Sequence, residues 1–594
     1  MNFFKTMLAS ALGTLVAFVA AFFLFIIFIV ALVVGGEKET LPETGVLHLH
    51  LNQPILERGN DQDLLPFDLN TFQKKEAYYL DFLKRDLERA KTDSHVAGIY
   101  LELDGISGSP STLKDVRTLL QDFKSSGKWI IAYGENYTQA DYYVASSADE
   151  VYIYPTGMLD WRGLNGEVMF FKKLLDELEI EAQVIRGRDN KYKSAVEPFL
   201  YDHMSAPNKE QMKALLDGIW NTMLTDIATH RPSVSVETLN QAAADLKYVQ
   251  INQAIEDHVV DGLLHYDEVL SRMNTRMSKE ANEKVEMIDY SEYHDQNMSL
   301  ENEMDLSSSP EVAVVYAVGQ IEEGKGSDEV IGSDRIAAAL RKARTDEDVK
   351  AVVLRVNSPG GSALASDVIW RETQLIKQAG KPLVVSMGDL AASGGYYISC
   401  AADRIFANPN TITGSIGVFG VIPNIGNMLD HKLGITFDRY ETHEHADFLS
   451  INKSFDAVEM QKMNDMIIGI YDDFLNRVAE GRKLSVSQVD SMARGRVWTG
   501  EDALKMGLVD ELGDLQKAIE HAANLASLGS DYHLKTLPKM ESPFELMLSD
   551  AAEARQDLLL KEISGDRYPQ LVHFKQMLER PSIQMRMPFD IVLR

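Results

Sequence analysis

The stretch GGYYISCAADRIFANPN, residues 394–410, matches an earlier stretch of the same chain, ADYYVASSADEVYIYPT at residues 140–156. With the two aligned, Asp149 falls on Asp403, and a tyrosine pair, small residues and a proline recur in the same order. Each stretch ends in a β-rich run, EVYIYP or RIFANP, before a turn. Such a match indicates that one structural unit occurs twice in the chain.

The repetition continues towards the N-terminal side of both stretches. VKAVVLRVN, ending at Asn357, resembles VAGIYLELD, ending at Asp104, and SPEVAVVYAVGQIEEG from Ser309 resembles ETGVLHLHLNQPILERG from Glu43. In both copies, short β-rich runs alternate with helical patterns such as DFLKRDLERAKTD. This alternation is typical of βαβ units, in which helices cover a largely parallel sheet. The sequence therefore predicts an α/β fold with two tandem domains of repeated β-β-α units.

Changes in composition place the boundaries of these repeats. A polar segment that ends in a serine cluster before Pro310 separates the two copies, and it is typical of a linker. The predicted parts are an N-terminal anchor (1–36), a tether (37–43), a first repeat (44–274), a linker (275–309), a second repeat (310–530) and a C-terminal extension (531–594). The extension has no counterpart in the first copy.

The N-terminus has the composition of a membrane anchor. Residues 7–36 carry no charge, and a helix over about residues 7–34 would be on the order of 40 Å long. The hydrocarbon core of a bilayer is about 30 Å thick, and the apolar core of a cleaved signal is shorter, about 7–15 residues. We therefore expect one uncleaved transmembrane helix. Lys5 before it and Glu37 after it favour a cytoplasmic N-terminus, with the body on the extracytoplasmic (periplasmic) side of a bacterial inner membrane.

Bulk composition excludes several classes of protein. With 594 residues, 45% apolar and 25% charged, the chain has an ordinary globular composition and room for two or more cores. Its net charge of −30 argues against a nucleic-acid-binding protein, which normally presents a basic face. The one cysteine, Cys400, lies in an apolar run and is predicted to be a small buried residue, so no intrachain disulfide is expected.

Three glycine-rich motifs of the second repeat favour a catalytic site. NSPGGS (357–362) follows a predicted strand and brings bare backbone N–H groups close to a ligand, and MGDLAASGGYYIS (387–399) places small residues before a helix. TGSIGVFG (413–420) frames Ser415 with glycines, as a nucleophile with nearby N–H donors requires. Each motif alone is typical of a packing turn, and the ordered set carries the inference. In the first copy, Trp161 stands where Ser415 would fall, so that copy has no equivalent nucleophile.

The base that would activate Ser415 is less evident. Histidine is the usual choice, but the fourteen histidines form no triad pattern, and His443 and His445 lack metal-ligand spacing and are interpreted as loop residues. A lysine serves when burial disfavours its charged form. Lys193, in KYKSAVEPF of the first repeat, lies beside small and apolar residues, with Lys191 as a competitor. By residue type alone, an ordinary solvated lysine remains open. A serine in one half and a lysine in the other suggest a single split site.

The motifs resemble those of the signal peptide peptidase A family (protease IV), in its long form with tandem domains. The resemblance covers nearly all of residues 40–530 and is carried by NSPGGSALASD, DLAASGGYYIS, TGSIGV, YKSAVEPF and RGRVWTGEDALKMGLVDELG. It implies a ClpP/crotonase-like fold and a serine endopeptidase with a Ser/Lys dyad. By motif match the nucleophile is Ser415 and the general base is Lys193. The oxyanion donors are expected to be backbone N–H groups of Gly360 or Gly361 and of Ile416.

The same resemblance implies partners and substrates. Remnant signal peptides and other short or unfolded peptides would be cleaved beside the inner membrane by a homotetramer, with no metal or organic cofactor. Two alternatives remain open. A crotonase-like acyl-CoA enzyme is disfavoured by the predicted anchor and by the pairing of TGSIG with YKSA. A membrane-anchored non-proteolytic scaffold with a vestigial dyad is disfavoured because Ser415 and Lys193 are both intact.

Overall fold

The computed structural model describes residues 41–60, 77–188, 190–304, 310–540 and 582–586, with isolated positions between Met7 and Ala21. The larger part of the predicted transmembrane helix, 7–34, and of the predicted C-terminal extension lies outside these residues. Within the described part of the chain, none of the helices combines the length and apolar content needed to cross a bilayer.

The first half of the chain forms a mixed α/β unit. Its strands are β1 (Gly45–Leu51), β2 (Ile55–Leu56), β3 (Tyr78–Tyr79), β4 (Val96–Leu103), β5 (Trp129–Gly134), β6 (Glu150–Ile153), β7 (Glu181–Ile185), β8 (Gly262–Leu263) and β9 (Met287–Asp289). Its helices are α1 (Leu80–Thr92), α2 (Pro110–Lys124), α3 (Gln139–Ala145), α4 (Lys172–Glu177), α5 (Glu197–Leu200), α6 (Ala206–His230), α7 (Val236–Ala244), α8 (Asn252–Glu256), α9 (Tyr266–Arg276) and α10 (Tyr290–Met304).

The second half repeats the mixture of strands and helices. Its strands are β10 (Glu311–Val318), β11 (Gln320–Glu322), β12 (Val330–Gly332), β13 (Val349–Ser358), β14 (Gly360–Ser362), β15 (Leu383–Ala392), β16 (Arg404–Ala407), β17 (Ile412–Gly414), β18 (Phe419–Asn424), β19 (Val497–Thr499), β20 (Glu511–Leu512), β21 (His533–Leu537) and β22 (Ser582–Arg586). Its helices are α11 (Ser333–Thr345), α12 (Ala363–Gln378), α13 (Gly394–Ser399), α14 (Ala457–Arg482), α15 (Val486–Met492), α16 (Gly500–Lys505) and α17 (Leu515–Leu525).

The two units share one strand order. The first sheet runs β8-β6-β5-β4-β1-β9 with all pairs parallel. The second contains the corresponding parallel path β20-β16-β15-β13-β10-β21, and β17 and β19 are added beyond β15. The predicted duplication is therefore confirmed as a repeated α/β fold, while its finer assignment to the ClpP/crotonase type stays a prediction.

Burial on both faces explains why these strands are apolar along most of their length. Nearly every residue of β13 is buried, as expected for a parallel sheet covered by helices. In each unit, an equivalent tyrosine anchors the short helix after the central strand through a hydrogen bond. The Tyr142 hydroxyl donates to the Val259 carbonyl and the Tyr396 hydroxyl to the Leu508 carbonyl, each at 2.9 Å.

Trp161 occupies the position of the first unit that aligns with Ser415. Its side chain is 2% exposed, its ring meets that of Tyr142 edge-on, and its Nε1 donates to the Leu239 carbonyl at 2.9 Å. The position therefore belongs to the core of the first unit.

The outermost strand of each unit lies outside the ranges predicted for the repeats. β9 falls in the predicted linker and pairs with β1, and β21 falls in the predicted extension and pairs with β10. Both strands are short, and β21 is largely polar and exposed. They carry no apolar run by which a sequence pattern would reveal them, because their pairing is held by backbone hydrogen bonds.

A third sheet joins the two halves. Its order is β12-β11-β14-β22-β18-β7, so β7 of the first half pairs antiparallel with β18 of the second. In β14, a Cβ on Gly361 would lie 2.0 Å from the Ile321 carbonyl oxygen, so this close approach of two backbones requires glycine. The sheet brings the segment after β7, which carries Lys193, to the turn that carries Ser415.

Candidate active site

The segment that carries Lys193 is fastened to the second unit. After β7, the Asn190 side-chain amide donates to the Val418 carbonyl at 2.8 Å, and the Tyr192 backbone N–H donates to the Arg494 carbonyl at 3.0 Å. Because these bonds hold the loop just before the lysine, Lys193 is placed by the second unit although it belongs to the first.

The side-chain amine of Lys193 contacts two serines. Its Nζ lies 3.0 Å from Ser415 Oγ, 2.9 Å from the Ser415 carbonyl oxygen and 2.7 Å from Ser393 Oγ. All three residues have no exposed surface. The competitor Lys191 is exposed, and its ammonium lies over the Tyr192 ring, 4.9 Å from the centroid. Of the two lysines, the structure brings Lys193 to Ser415.

Burial changes the acid–base chemistry of Lys193. Loss of solvation lowers the pKa of its amine well below the usual 10.5. A lowered pKa widens the pH range in which the amine is uncharged, and an uncharged amine has a lone pair that accepts a proton. Lys193 is therefore suited to act as a base towards a neighbouring hydroxyl.

The backbone at Ser415 is held in an unusual conformation. Its φ is +51°, a backbone conformation that costs a residue other than glycine about 1–3 kcal/mol. The Ser415 N–H donates to the Arg496 carbonyl at 2.7 Å, and Gly414 before it pairs with Val497 of β19. These contacts fix the turn so that Oγ points at Lys193.

Gly495 packs directly against Lys193. Its φ is +79°, its N–H donates to the Ile416 carbonyl at 2.9 Å, and an added Cβ would lie 2.5 Å from Lys193 Cβ. The chain therefore passes directly against the lysine, which leaves no room for a side chain at position 495.

Ser393 is a further neighbour of the lysine that the sequence pattern did not reveal, since the motif DLAASGGYYIS predicted only small residues for close packing. It lies between β15 and α13 with φ +55° and ψ −113°, and its N–H donates to the Gly414 carbonyl at 2.8 Å. A serine beside glycines at a strand-to-helix turn is the signal that would have found it, because this arrangement exposes the hydroxyl of many hydrolases.

The predicted oxyanion residues lie on two separate segments of the second unit. The Gly360 N–H donates to Ser358 Oγ at 3.1 Å, Gly361 pairs with Ile321 of β11, and Ile416 directly follows Ser415. Their role as oxyanion donors stays a prediction.

One group of possible metal ligands lies elsewhere in the described part of the chain. His445, Asp456 and Glu459 bring their ligand atoms within 4.8 Å of one another. Lys453 Nζ lies 3.0 Å from Glu459 Oε1 and already supplies a positive charge there. The cluster therefore belongs to an ion-pair network, and it includes no residue of the lysine–serine site.

Comparison with known sequences identifies the family. A model of peptidase family S49 matches residues 122–280 and 376–529, one match in each unit. The chain belongs to peptidase family S49. Lys193 lies in the first matched region, and Ser393 and Ser415 lie in the second, so the residues that meet in space come from both copies of the S49 domain.

Relatives of this S49 chain extend over almost its whole length. "Protease 4" of Haemophilus influenzae is 35% identical over 91% of this chain and 90% of its own length, and "Protease 4" of Salmonella typhi is 35% identical over 86% and 84%. "Serine protease SPPA, chloroplastic" of Arabidopsis thaliana is 31% identical over 75% of this chain and 65% of its own length. The protein is a serine peptidase, as its motifs predicted, and neither the acyl-CoA enzyme nor the scaffold gains support.

Proposed function

We propose that this S49 peptidase hydrolyses peptide bonds through an acyl-enzyme, with Lys193 as the general base and with one of the two serines that its amine contacts as the nucleophile. The observation that carries the proposal is the contact of the buried Lys193 amine with two serine hydroxyls, at 3.0 Å from Ser415 Oγ and 2.7 Å from Ser393 Oγ. A nucleophile and a base within hydrogen-bond reach, with the pKa of the base lowered by its surroundings, form the arrangement that serine acyl transfer requires.

The steps follow from this geometry. Uncharged Lys193 takes the proton of the nucleophilic serine as the serine oxygen attacks the scissile carbonyl carbon, and a tetrahedral oxyanion forms. Backbone N–H groups of Gly360 or Gly361 and of Ile416 would stabilise that oxyanion. The Lys193 ammonium then gives its proton to the leaving amine, and the peptide bond breaks. Water, deprotonated by Lys193, attacks the acyl-enzyme and releases the second product.

The third sheet supports an extended peptide as the substrate. β22 lies between β14 and β18 and is antiparallel to both, with Gln584–Arg586 against Gly360–Ser362 and Ser582–Gln584 against Phe419–Val421. Its C-terminal end points towards Ser415, because its partners on β18 run from Val421 back to Phe419. A peptide in this position would be held mainly by backbone bonds, which accept many sequences.

We also propose remnant signal peptides as the substrates, a single-pass anchor at residues 7–34 in the bacterial inner membrane, an extracytoplasmic body and a homotetramer. The resemblance of the motifs to the signal peptide peptidase A family and the uncharged N-terminal run support these assignments. The anchor would hold the site beside apolar peptides left in the bilayer. An apolar synthetic peptide of signal-peptide composition should then show a higher kcat/KM than a polar peptide of equal length.

The catalytic assignment is tested by substitutions in the full-length chain. Lys193→Met should reduce kcat for a peptide substrate by about a thousandfold or more, and so should the alanine variant of the serine that acts as nucleophile, because each removes a partner of the same proton transfer. Ser393→Ala and Ser415→Ala are measured side by side to identify that serine. Lys191→Met is the matched control and should keep wild-type activity. Circular dichroism confirms that each variant is folded. Full activity of the folded Lys193→Met variant would refute the split dyad.

A further inference from the structure

The strand β15 carries a bulge just before the turn of Ser393. Its pairing with β13 shifts register at Asn357, which stands opposite the three residues of β15 from Gly388 to Leu390. A bulge bends its strand and re-aims the side chains that follow, and bulges are frequent beside active sites. The path by which β15 enters the Ser393 turn therefore depends on what stabilises this bulge.

The side-chain amide of Asn357 uses all of its hydrogen-bonding groups at the bulge. Its Oδ1 accepts from the Leu390 backbone N–H at 3.1 Å, and its Nδ2 donates to Glu57 Oε1 and to Asp389 Oδ2, each at 3.0 Å. An asparagine side chain has two N–H donors and one carbonyl oxygen, so both donors and the acceptor are engaged. Because both partners of the nitrogen are carboxylates, only one orientation of the amide satisfies the three contacts.

The two carboxylates connect the bulge to the first unit. Glu57, which directly follows β2, also accepts from Arg355 Nε at 3.0 Å and from its Nη2 at 2.8 Å. Asp389 Oδ1 accepts from the Thr112 backbone N–H at 3.0 Å and from Thr112 Oγ1 at 2.7 Å, in the first turn of α2. Asn357 therefore lies where both units contact the end of β15.

The bulge leads directly to the residues around the lysine. Ser393 comes three residues after Leu390, and its Oγ lies 2.7 Å from the Lys193 amine. Gly394 packs against the predicted oxyanion turn, since an added Cβ would lie 3.2 Å from the Gly361 nitrogen. A displacement of β15 at the bulge would move these groups relative to one another, and a misplacement of about 1 Å costs about a hundredfold in rate.

The first unit provides an internal comparison. Asp104 aligns with Asn357, but it is exposed, and a carboxylate has no N–H to donate. The strands β4 and β5, which correspond to β13 and β15, pair in one continuous register. Gln139 stands in the first unit where Ser393 would fall. The amide and the bulge thus occur together in the unit that carries the serines.

We propose that Asn357 is a positioning residue whose side-chain amide stabilises the bulge of β15 and thereby fixes the Ser393 turn against the Gly360–Gly361 turn. The proposal rests on the proposed function, in which Lys193 acts on one of the two serines that it contacts. It adds the residue that keeps the lysine, the serines and the oxyanion turn in their relative positions.

A carboxylate at position 357 would be strongly disfavoured. It would face the carboxylates of Glu57 and Asp389 at about the hydrogen-bond distance of the present amide, so these two negative charges would raise its pKa. Arg355 would oppose this effect through its contact with Glu57. The ionisable groups in and around this network are Glu57, Arg58, Asp115, Tyr316, Arg355, Asp389 and Asp514.

The experiment measures kcat and KM for a peptide across pH in the full-length chain with Asn357→Asp or Asn357→Leu. Near pH 8 we expect kcat of both variants to fall about a hundredfold, while KM changes less than about threefold. As the pH falls to about 6, kcat of Asn357→Asp relative to the wild type should rise about fivefold or more, because a protonated aspartate has an O–H to donate. The same ratio for Asn357→Leu should stay constant.

An exchange of donor and acceptor gives a second measurement. The variant that combines Asn357→Asp with Asp389→Asn keeps the net charge of the wild type and reverses the pair, so it should recover about tenfold of the kcat lost in Asn357→Asp. Asn524→Asp, at an exposed position of α17, is the control for an added charge and should keep wild-type kcat. Circular dichroism confirms that each variant is folded. Asn357→Ala removes the amide without adding atoms and replaces Asn357→Leu where that variant does not fold.

Two results would overturn the proposal. One is wild-type kcat in a folded variant that lacks the amide, Asn357→Leu or Asn357→Ala. The other is a reduced kcat of Asn357→Asp that recovers neither at acidic pH nor in the exchange variant, which would indicate a structural role only. Failure of the proposed function is distinguishable, because Lys193→Met would then remain active.

Discussion

At the scale of single residues, burial of the Lys193 amine favours its action as a base but lowers the stability of the folded chain. Its pKa is lowered by burial, so between that value and about 10.5 the unfolded chain binds a proton that the folded chain does not. Stability linked to this group therefore rises with pH across that window and is lost as pH falls through it. Lys193→Met keeps the length of the side chain and removes the amine.

We expect Lys193→Met to raise the midpoint of thermal unfolding near pH 7 by about 2–4 °C, the shift that about 1 kcal/mol produces in a domain of about 150–250 residues. The gain should shrink as the pH approaches 10.5, where the amine of the unfolded chain is also losing its proton. Thermal melts followed by circular dichroism at about pH 7 and about pH 10 measure both effects. A midpoint below that of the wild type at neutral pH would contradict the prediction.

Residue type and local motif single out Ser415 as a candidate, whereas Lys193 is preferred over an ordinary solvated lysine only through the family resemblance. Ser415 stands between glycines, and Lys193 stands where the first copy has a lysine and the second has none. Ser393 was missed although it also stands beside glycines, at a strand-to-helix turn, because its motif was interpreted as close packing. Its contact with a lysine 200 positions away in the chain is visible only in the structure.

At the scale of elements, the loop between α15 and β19 sets the position of the base. A Cβ at Gly495 would lie 2.5 Å from Lys193 Cβ, so Gly495→Ala must displace the lysine or the loop. We expect kcat to fall about a hundredfold, because misplacement of a catalytic group by about 1 Å costs that much. Gly507→Ala is the matched control, since its φ is +75° but an added Cβ would meet no atom within 4 Å.

The comparison of these two glycine variants separates backbone strain from displacement. Both variants place alanine at a positive φ and should lose thermal stability for that reason, and Gly495→Ala should lose more because its Cβ also clashes with Lys193. Only Gly495→Ala should lose activity in a steady-state peptide assay. Equal loss of kcat in the two variants would show that the loop does not position Lys193.

The tail strand β22 occupies the place in which we expect the substrate. A segment of the same chain competes at a high effective concentration, so its removal should lower KM for peptides. We expect a chain ending before Ser582 to show a KM lower by about threefold or more, with little change in kcat. Ile583→Pro, which removes an N–H from the strand, should act in the same direction, and Ile583→Ala is its control. An unchanged KM in both the truncated chain and the proline variant would contradict the prediction.

At the scale of the whole molecule, the repetition of the fold was visible in the sequence because buried parallel strands carry long apolar runs. The outer strands β9 and β21 were not recognised as part of the units, since their pairing is a property of the backbone. The contact between the two units was equally hidden. It includes a buried ion pair in which Arg355 of the second unit meets Glu57 of the first at 2.8 Å.

Asp115 of α2 lies at the same junction, 3.6 Å from Arg355, and accepts from the Asn408 side-chain amide at 2.9 Å. Burial raises its pKa to about 7, against the opposing effect of Arg355. Between the ordinary carboxyl value of 3.8 and about 7, the folded chain therefore binds more protons than the unfolded chain, and stability linked to Asp115 falls as pH rises.

Asp115→Asn removes this ionisation and should make the junction less sensitive to pH. The melting midpoint of the variant, relative to that of the wild type, should rise as pH increases from about 5 to about 8, because only the wild type then has to ionise a buried carboxyl. Asp122→Asn, an exposed position on the same helix, should show a flat difference over this range. If the difference in melting midpoint between Asp115→Asn and the wild type also stayed constant with pH, Asp115 would be ionised throughout this range, stabilised by Arg355. The contact between the two units would then not weaken with rising pH.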